Sequence, residues 1–115
     1  MKAIKEHWID IIKDYFPQEG ELFLHPIRDF CLDVNWKLKN DPNRPNKRSK
    51  KLRLIISEET IEDYRDANDG PKNNYDQKLK IFVDEIMAHF EPEHDTPYGR
   101  TTPIETIHVP FGITY

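Results

Sequence analysis

Phe30-Cys31-Leu32-Asp33-Val34-Asn35-Trp36-Lys37-Leu38-Lys39 decides the fold of this chain. Phe30, Leu32, Val34, Trp36 and Leu38 alternate with Cys31, Asp33, Asn35, Lys37 and Lys39, so the large apolar groups share one face of a strand. Leu52, Leu54 and Ile56 repeat that period around Arg53 and Ile55. Between the two runs lies Asn40-Asp41-Pro42-Asn43-Arg44-Pro45-Asn46, rich in residues that preset or tolerate turn geometry. The pattern predicts a long hairpin over about 30–39 and 51–56, with Trp36 and its alternate neighbours turned inward and a basic tip turned outward.

The flanking segments supply what covers the dry face. Ile4, Trp8, Ile11, Ile12, Tyr15 and Phe16 recur at helical spacing, which predicts a first helix over about 3–16, ended by Pro17 and Gly20. Leu22-Phe23-Leu24 reads as a short strand before Pro26. After the hairpin, Ser57 stands as an N-cap for a helix to about Ala67, with Glu58 and Glu59 at the positive end of its dipole. Asn68-Asp69-Gly70-Pro71 reads as a stop and a turn. Tyr75, Leu79, Phe82, Val83, Ile86, Met87 and Phe90 then mark a long helix over about 73–90. A last strand is expected over about 104–109, stopped by Pro110. The expected architecture is a single α+β domain over residues 1–115, with a mainly antiparallel sheet covered on one face by the first and the long helices.

Composition narrows the class further. The chain has 115 residues, 37% hydrophobic and 33% charged, enough for one core. Cys31 is the single cysteine, which rules out an internal disulfide and points to the cytoplasm. The charged start Met1-Lys2-Ala3-Ile4-Lys5 lacks an apolar signal core, and nowhere do eighteen apolar residues run together, so no membrane partner is expected.

Charge is unevenly distributed. From Lys37 to Arg53 there are eight basic residues and one acid, a net of +7, while the rest of the chain, with nine basic and twenty acidic residues, carries −11. Arg44, Lys47, Arg48, Lys50 and Lys51 are therefore the candidate binding residues of the hairpin, suited to an acidic protein surface or to nucleic acid phosphates. Lysines on hairpins also keep edges soluble, and the acids of the helix after Ser57 offer such a loop an internal or self-association partner.

The α-β-β-β-α order with a basic hairpin resembles the double-stranded RNA-binding domain, which implies lysines at the start of the second helix. Glu58, Glu59, Glu62 and Asp63 stand there instead and would repel phosphates. The order is also similar to the restriction-endonuclease core, which implies an Asp and an acid-x-Lys on neighbouring strands; Asp33 and Lys37 share one strand and the next has no acid-x-Lys. The chain is assigned to neither family.

A second candidate site is His89, Glu91, Glu93, His94 and Asp95, where imidazoles and carboxylates cluster after the long helix, as a metal-dependent hydrolase would need. No His-Glu-x-x-His spacing accompanies it, and a polar helix end explains the same residues. Ser49 and Ser57 sit in no nucleophile elbow, and no glycine-rich phosphate loop or dinucleotide fingerprint occurs, so no cofactor is expected. Pro97, Pro103, Pro110, Tyr98, Phe111 and Tyr115 give the C-terminal quarter an apolar surface that either wraps over the core or docks onto another subunit. The reading with most support is a non-enzymatic binding domain for a protein partner, homodimerisation included, with nucleic-acid binding at the same hairpin and metal-dependent hydrolysis as rivals.

Overall fold

A computed structural model describes residues 3–38, 48–94 and 102–114. In chain order these form α1 (Ile4–Ile12, extended by a 3-10 turn over Lys13–Tyr15), β1 (Glu21–Leu24), β2 (Phe30–Asn35), β3 (Lys51–Ile56), α2 (Glu58–Asp66), α3 (Asp69–His89) and β4 (Ile104–His108). The sheet order is β1-β2-β3-β4, antiparallel except that β4 runs parallel to β3. This is the expected α+β architecture, with Leu22-Phe23-Leu24 as a genuine edge strand.

β2 and β3 pair in the register Phe30↔Ile56, Leu32↔Leu54 and Val34↔Leu52, so six large apolar side chains share one face. Trp8, Ile12 and Phe16 from the first helical segment, Tyr64 from α2, and Tyr75, Leu79 and Val83 from α3 bury that face in one cluster. Trp8 is 0% exposed, and its ring meets Phe30 at 5.6 Å, Tyr64 at 5.1 Å and Tyr75 at 5.5 Å between centroids. Edge and tilted contacts of this kind stabilise beyond their buried area.

Inside the helical layer His7, Tyr64 and Asp76 are paired, while Trp8 Nε1 and the Tyr75 hydroxyl are buried without a hydrogen-bond partner among the described residues. The Tyr64 hydroxyl donates to Asp76 Oδ1 at 3.0 Å, and His7 Nε2–H donates to Asp76 Oδ2 at 2.8 Å, so one buried carboxylate ties α1, α2 and α3 together. Burial first, then the Asp76 hydrogen bond, pushes the Tyr64 hydroxyl well above its ordinary value. The C-terminal segment folds back over this layer, with Phe111 against Tyr75 at 5.4 Å and Phe82 at 5.6 Å. Of the two fates open to that segment, wrapping over the core is the one adopted by Phe111 and Ile113.

Three boundaries differ from the sequence-based expectation. Gly70 and Pro71 lie in the first turn of α3, which begins at Asp69 and not near 73. Proline is tolerated there because the first N–H groups of a helix lack intrahelical acceptors in any case. The first helix loosens into the 3-10 turn before Tyr15. β2 ends at Asn35, beyond which an isolated Lys37↔Arg48 bridge continues the hairpin. The hairpin's tip lies outside the described residues.

Ser57 caps α2 as expected, its Oγ accepting from Thr60 N at 3.3 Å; Asp29 Oδ1 adds a second cap, accepting from Glu58 N at 2.8 Å. Gly20 closes the turn into β1 by donating its N–H to the Pro17 carbonyl at 2.8 Å. A Cβ at this position would lie 2.9 Å from that same carbonyl oxygen. Gly20→Ala is therefore expected to cost about 1–2 kcal/mol through the forced backbone shift, read as a lowered urea midpoint with an unchanged slope.

Candidate functional site

Among the described residues, the other face of the sheet carries none of the helices that fill the core cluster. Its register positions are Phe23 on β1, Asp33 and Asn35 on β2, Lys51 and Arg53 on β3, and Ile104 and Thr106 on β4. At its centre Asp33, 3% exposed, accepts from Arg53 Nε at 2.8 Å on Oδ1 and from Arg53 Nη2 at 2.9 Å on Oδ2. His25 Nε2–H donates to the same Oδ2 at 2.7 Å. The hydrogen bonds from Arg53 hold the Asp33 carboxyl below the usual carboxylate range, against the opposing pull of burial, and His25 adds to the lowering.

Asp33 sits among its neighbours because Phe23 and Arg53 are its register partners on either side. Phe23 in turn packs its ring edge-on against His25 at 4.9 Å. β2 is thus buried on both sides, where alternation alone predicts one dry and one wet face.

Ligating atoms of His25, Cys31 and Asp33 lie within 4.8 Å of one another, a set of donors that zinc would accept by type. The electrostatics disfavour that use. Both Asp33 oxygens are already engaged by a guanidinium, and a divalent ion would have to enter beside that cation. Burial pushes the Cys31 thiol upward, away from the thiolate that a metal or an electrophile requires, and the residue is 5% exposed. The cluster is internally satisfied and shapes the face around it.

Below this cluster, where β1, β3 and β4 begin and β2 ends, a cleft of about 570 Å³ opens between Phe23, Asn35, Arg48, Lys51 and Thr102. Arg48 reaches it from the base of the hairpin: its Nε donates to Asn35 Oδ1, and its Nη2 lies 3.6 Å from Glu21 Oε2. Ser49, fully buried, closes the hairpin base; its Oγ accepts from Trp36 N at 3.0 Å and donates to the Lys50 carbonyl at 2.9 Å.

The five basic candidates have separate fates. Lys51 and Arg48 line the cleft. Lys50 turns the other way, its ammonium 5.5 Å above the Phe90 ring, which itself packs on Trp36. Arg44 and Lys47 lie outside the described residues. Of the metal candidates, His94 Nε2–H donates to the Arg48 carbonyl at 3.0 Å, and the Pro92 carbonyl accepts from Lys50 N at 2.9 Å, so the exit from α3 straps the hairpin base. His89, Glu91 and Glu93 are exposed, and the trio of donors that converges among the described residues is His25, Cys31 and Asp33 instead. Asp95 lies outside the described residues.

The sequence reading missed the His25, Asp33 and Arg53 cluster, although its register was available. The turn-forming run 40–46 is centred on Asn43, and antiparallel pairing about that centre sets residue 33 opposite residue 53.

Among the described residues, no helix is long and apolar enough to cross a membrane. No protein-family model, no curated protein and no solved structure matches this chain.

Proposed function

We propose that this chain is a non-catalytic binding module that receives an acidic surface of a protein partner on the helix-free face of its sheet. The observation that carries the reading is the composition of that face. Phe23 at 58% and Ile104 at 43% exposure offer apolar contact. Arg48 and Lys51 place positive charge beside them, Lys51 as the register partner of Ile104. An apolar centre with a charged rim is how protein interfaces are built, and one sign of charge selects partners of the other.

The chemistry at hand favours binding over catalysis. The thiol of Cys31 is buried, and both Asp33 oxygens are engaged by Arg53. A nucleophile or general base needs a group free to act on a substrate.

A photo-crosslinking side chain placed at Phe23 or Ile104, with a third at exposed Ile81 on α3, tests the reading in cells. The expected result is one protein product shared by the first two positions, absent from Ile81, resistant to nuclease and lost on Lys51→Glu. A product removed by nuclease would make nucleic acid the occupant. A product of twice the chain's mass would make it a second copy, whose α2 presents Glu58, Glu59 and Glu62. Crosslinking from Ile81 alone would overturn the proposal.

A further inference from the structure

We infer that the cleft between Arg48 and Lys51 is a seat for a carboxylate side chain of an extended acidic segment; this rests on the open-face reading and names its ligand chemistry. Three features converge on it.

First, Arg48 is only partly used. Its Nε is spent on Asn35 Oδ1, while Nη2 is buried and without a hydrogen-bond partner among the described residues. Arg48 lines the cleft with its side chain 36% exposed, so its partly desolvated charge attracts an incoming carboxylate more strongly than a fully solvated lysine would. Second, Glu21 shows what the seat attracts. Its carboxylate stands 3.6 Å from that nitrogen, inside ion-pair range but beyond hydrogen-bond reach, on a side chain 72% exposed. It is a weak internal occupant that a better-placed carboxylate displaces. Third, the cleft is bounded by Lys51 on one side and by the Phe23 ring on another. A single anion would need only the cations. The ring adds a wall for an apolar neighbour, and the volume of about 570 Å³ admits several consecutive side chains.

The inference commits to a peptide carboxylate because the cations flank exposed apolar surface, Phe23 and Ile104, that a free anion would leave bare.

The test uses the full chain, labelled for amide NMR, and a peptide alternating Glu with Leu and Phe. A control peptide carries Gln for Glu, and an oligothymidylate of equal charge is run beside them. The acidic peptide is expected to move the amides of Phe23, Asn35, Ser49 and Lys51 saturably, and the Gln peptide is not. Lys51→Glu is expected to weaken binding at least about tenfold, as reversal of a contact charge does. Glu21→Gln should instead tighten it roughly threefold, the scale of removing one exposed ion pair.

Peptide shifts at Phe23 and Ile104 that spare Ser49 and Lys51 would overturn the cleft as the seat while leaving the open face as the docking surface. Shifts confined to the helical layer would overturn both. Tighter binding of oligothymidylate with the same shifted amides would replace the peptide carboxylate by nucleic acid phosphate. A Glu21→Gln variant that binds the peptide more weakly would make Glu21 a contact, not a competitor, and end the proposal.

Discussion

Trp8→Ala is expected to destabilise the domain by about 3–5 kcal/mol, the range for deleting a large aromatic side chain from a packed core. The Trp8 ring touches α2, α3 and the sheet at once, through Tyr64, Tyr75 and Phe30. No single neighbour can collapse into the space it leaves, because those three rings are fixed by different elements. A domain of this size has about 5–15 kcal/mol to lose, so the variant should remain folded only marginally. In a thermal melt the loss corresponds to a fall on the order of 10–25 °C. Trp36→Ala should cost less: Trp36 packs at the hairpin base against the Phe90 ring, where the strap from α3 can follow it inward. Urea melts of the two variants give the comparison. A Trp8→Ala loss below that of Trp36→Ala would contradict the packing described for α1.

The contrast between those two tryptophans also marks what a sequence can disclose. Period-two alternation in Phe30–Trp36 and helical spacing in Tyr75–Phe90 survive because each follows from burial on one side of a regular element. The same logic placed both tryptophans inside, but not their ranks. Which of them lies where four elements meet depends on packing between segments far apart in the chain. The start of α3 failed for a local reason, since Gly70 and Pro71 are breakers in mid-helix but harmless in its first turn. The cleft was hidden for a third reason. Arg48 and Lys51 belong to the basic run, yet only the tertiary course of that run separates them from Lys50, which turns away to Phe90. A charge count sees all three as one patch.

Asp33→Ala is expected to cost about 3 kcal/mol at neutral pH, toward the lower end of what breaking a buried pair costs. The lower end applies because the Arg53 side chain is 28% exposed and water recovers part of its solvation. The carboxylate is the hub of three hydrogen bonds, so its loss also strands the His25 ring that supports Phe23. Asp33→Asn keeps the shape and isolates the charge. Because the folded pKa is depressed, the stability that Asp33 confers is complete above its unfolded value of about 3.9 and is lost as the pH falls from there through the folded pKa. Urea midpoints of wild type and Asp33→Asn should therefore converge under acid conditions and separate at neutral pH. A difference that stays constant across that window would mean that the carboxylate's charge is not what holds Arg53. The same comparison separates the core of the face from its contact surface. Lys51→Glu, at a half-buried position beside the cleft, should shift the unfolding free energy by no more than about 0.5 kcal/mol while removing the docked partner. Asp33→Asn should do the reverse at neutral pH, weakening the fold and leaving Arg48 and Lys51 available, because the Asp33 carboxylate, although it borders the cleft, is already engaged by Arg53.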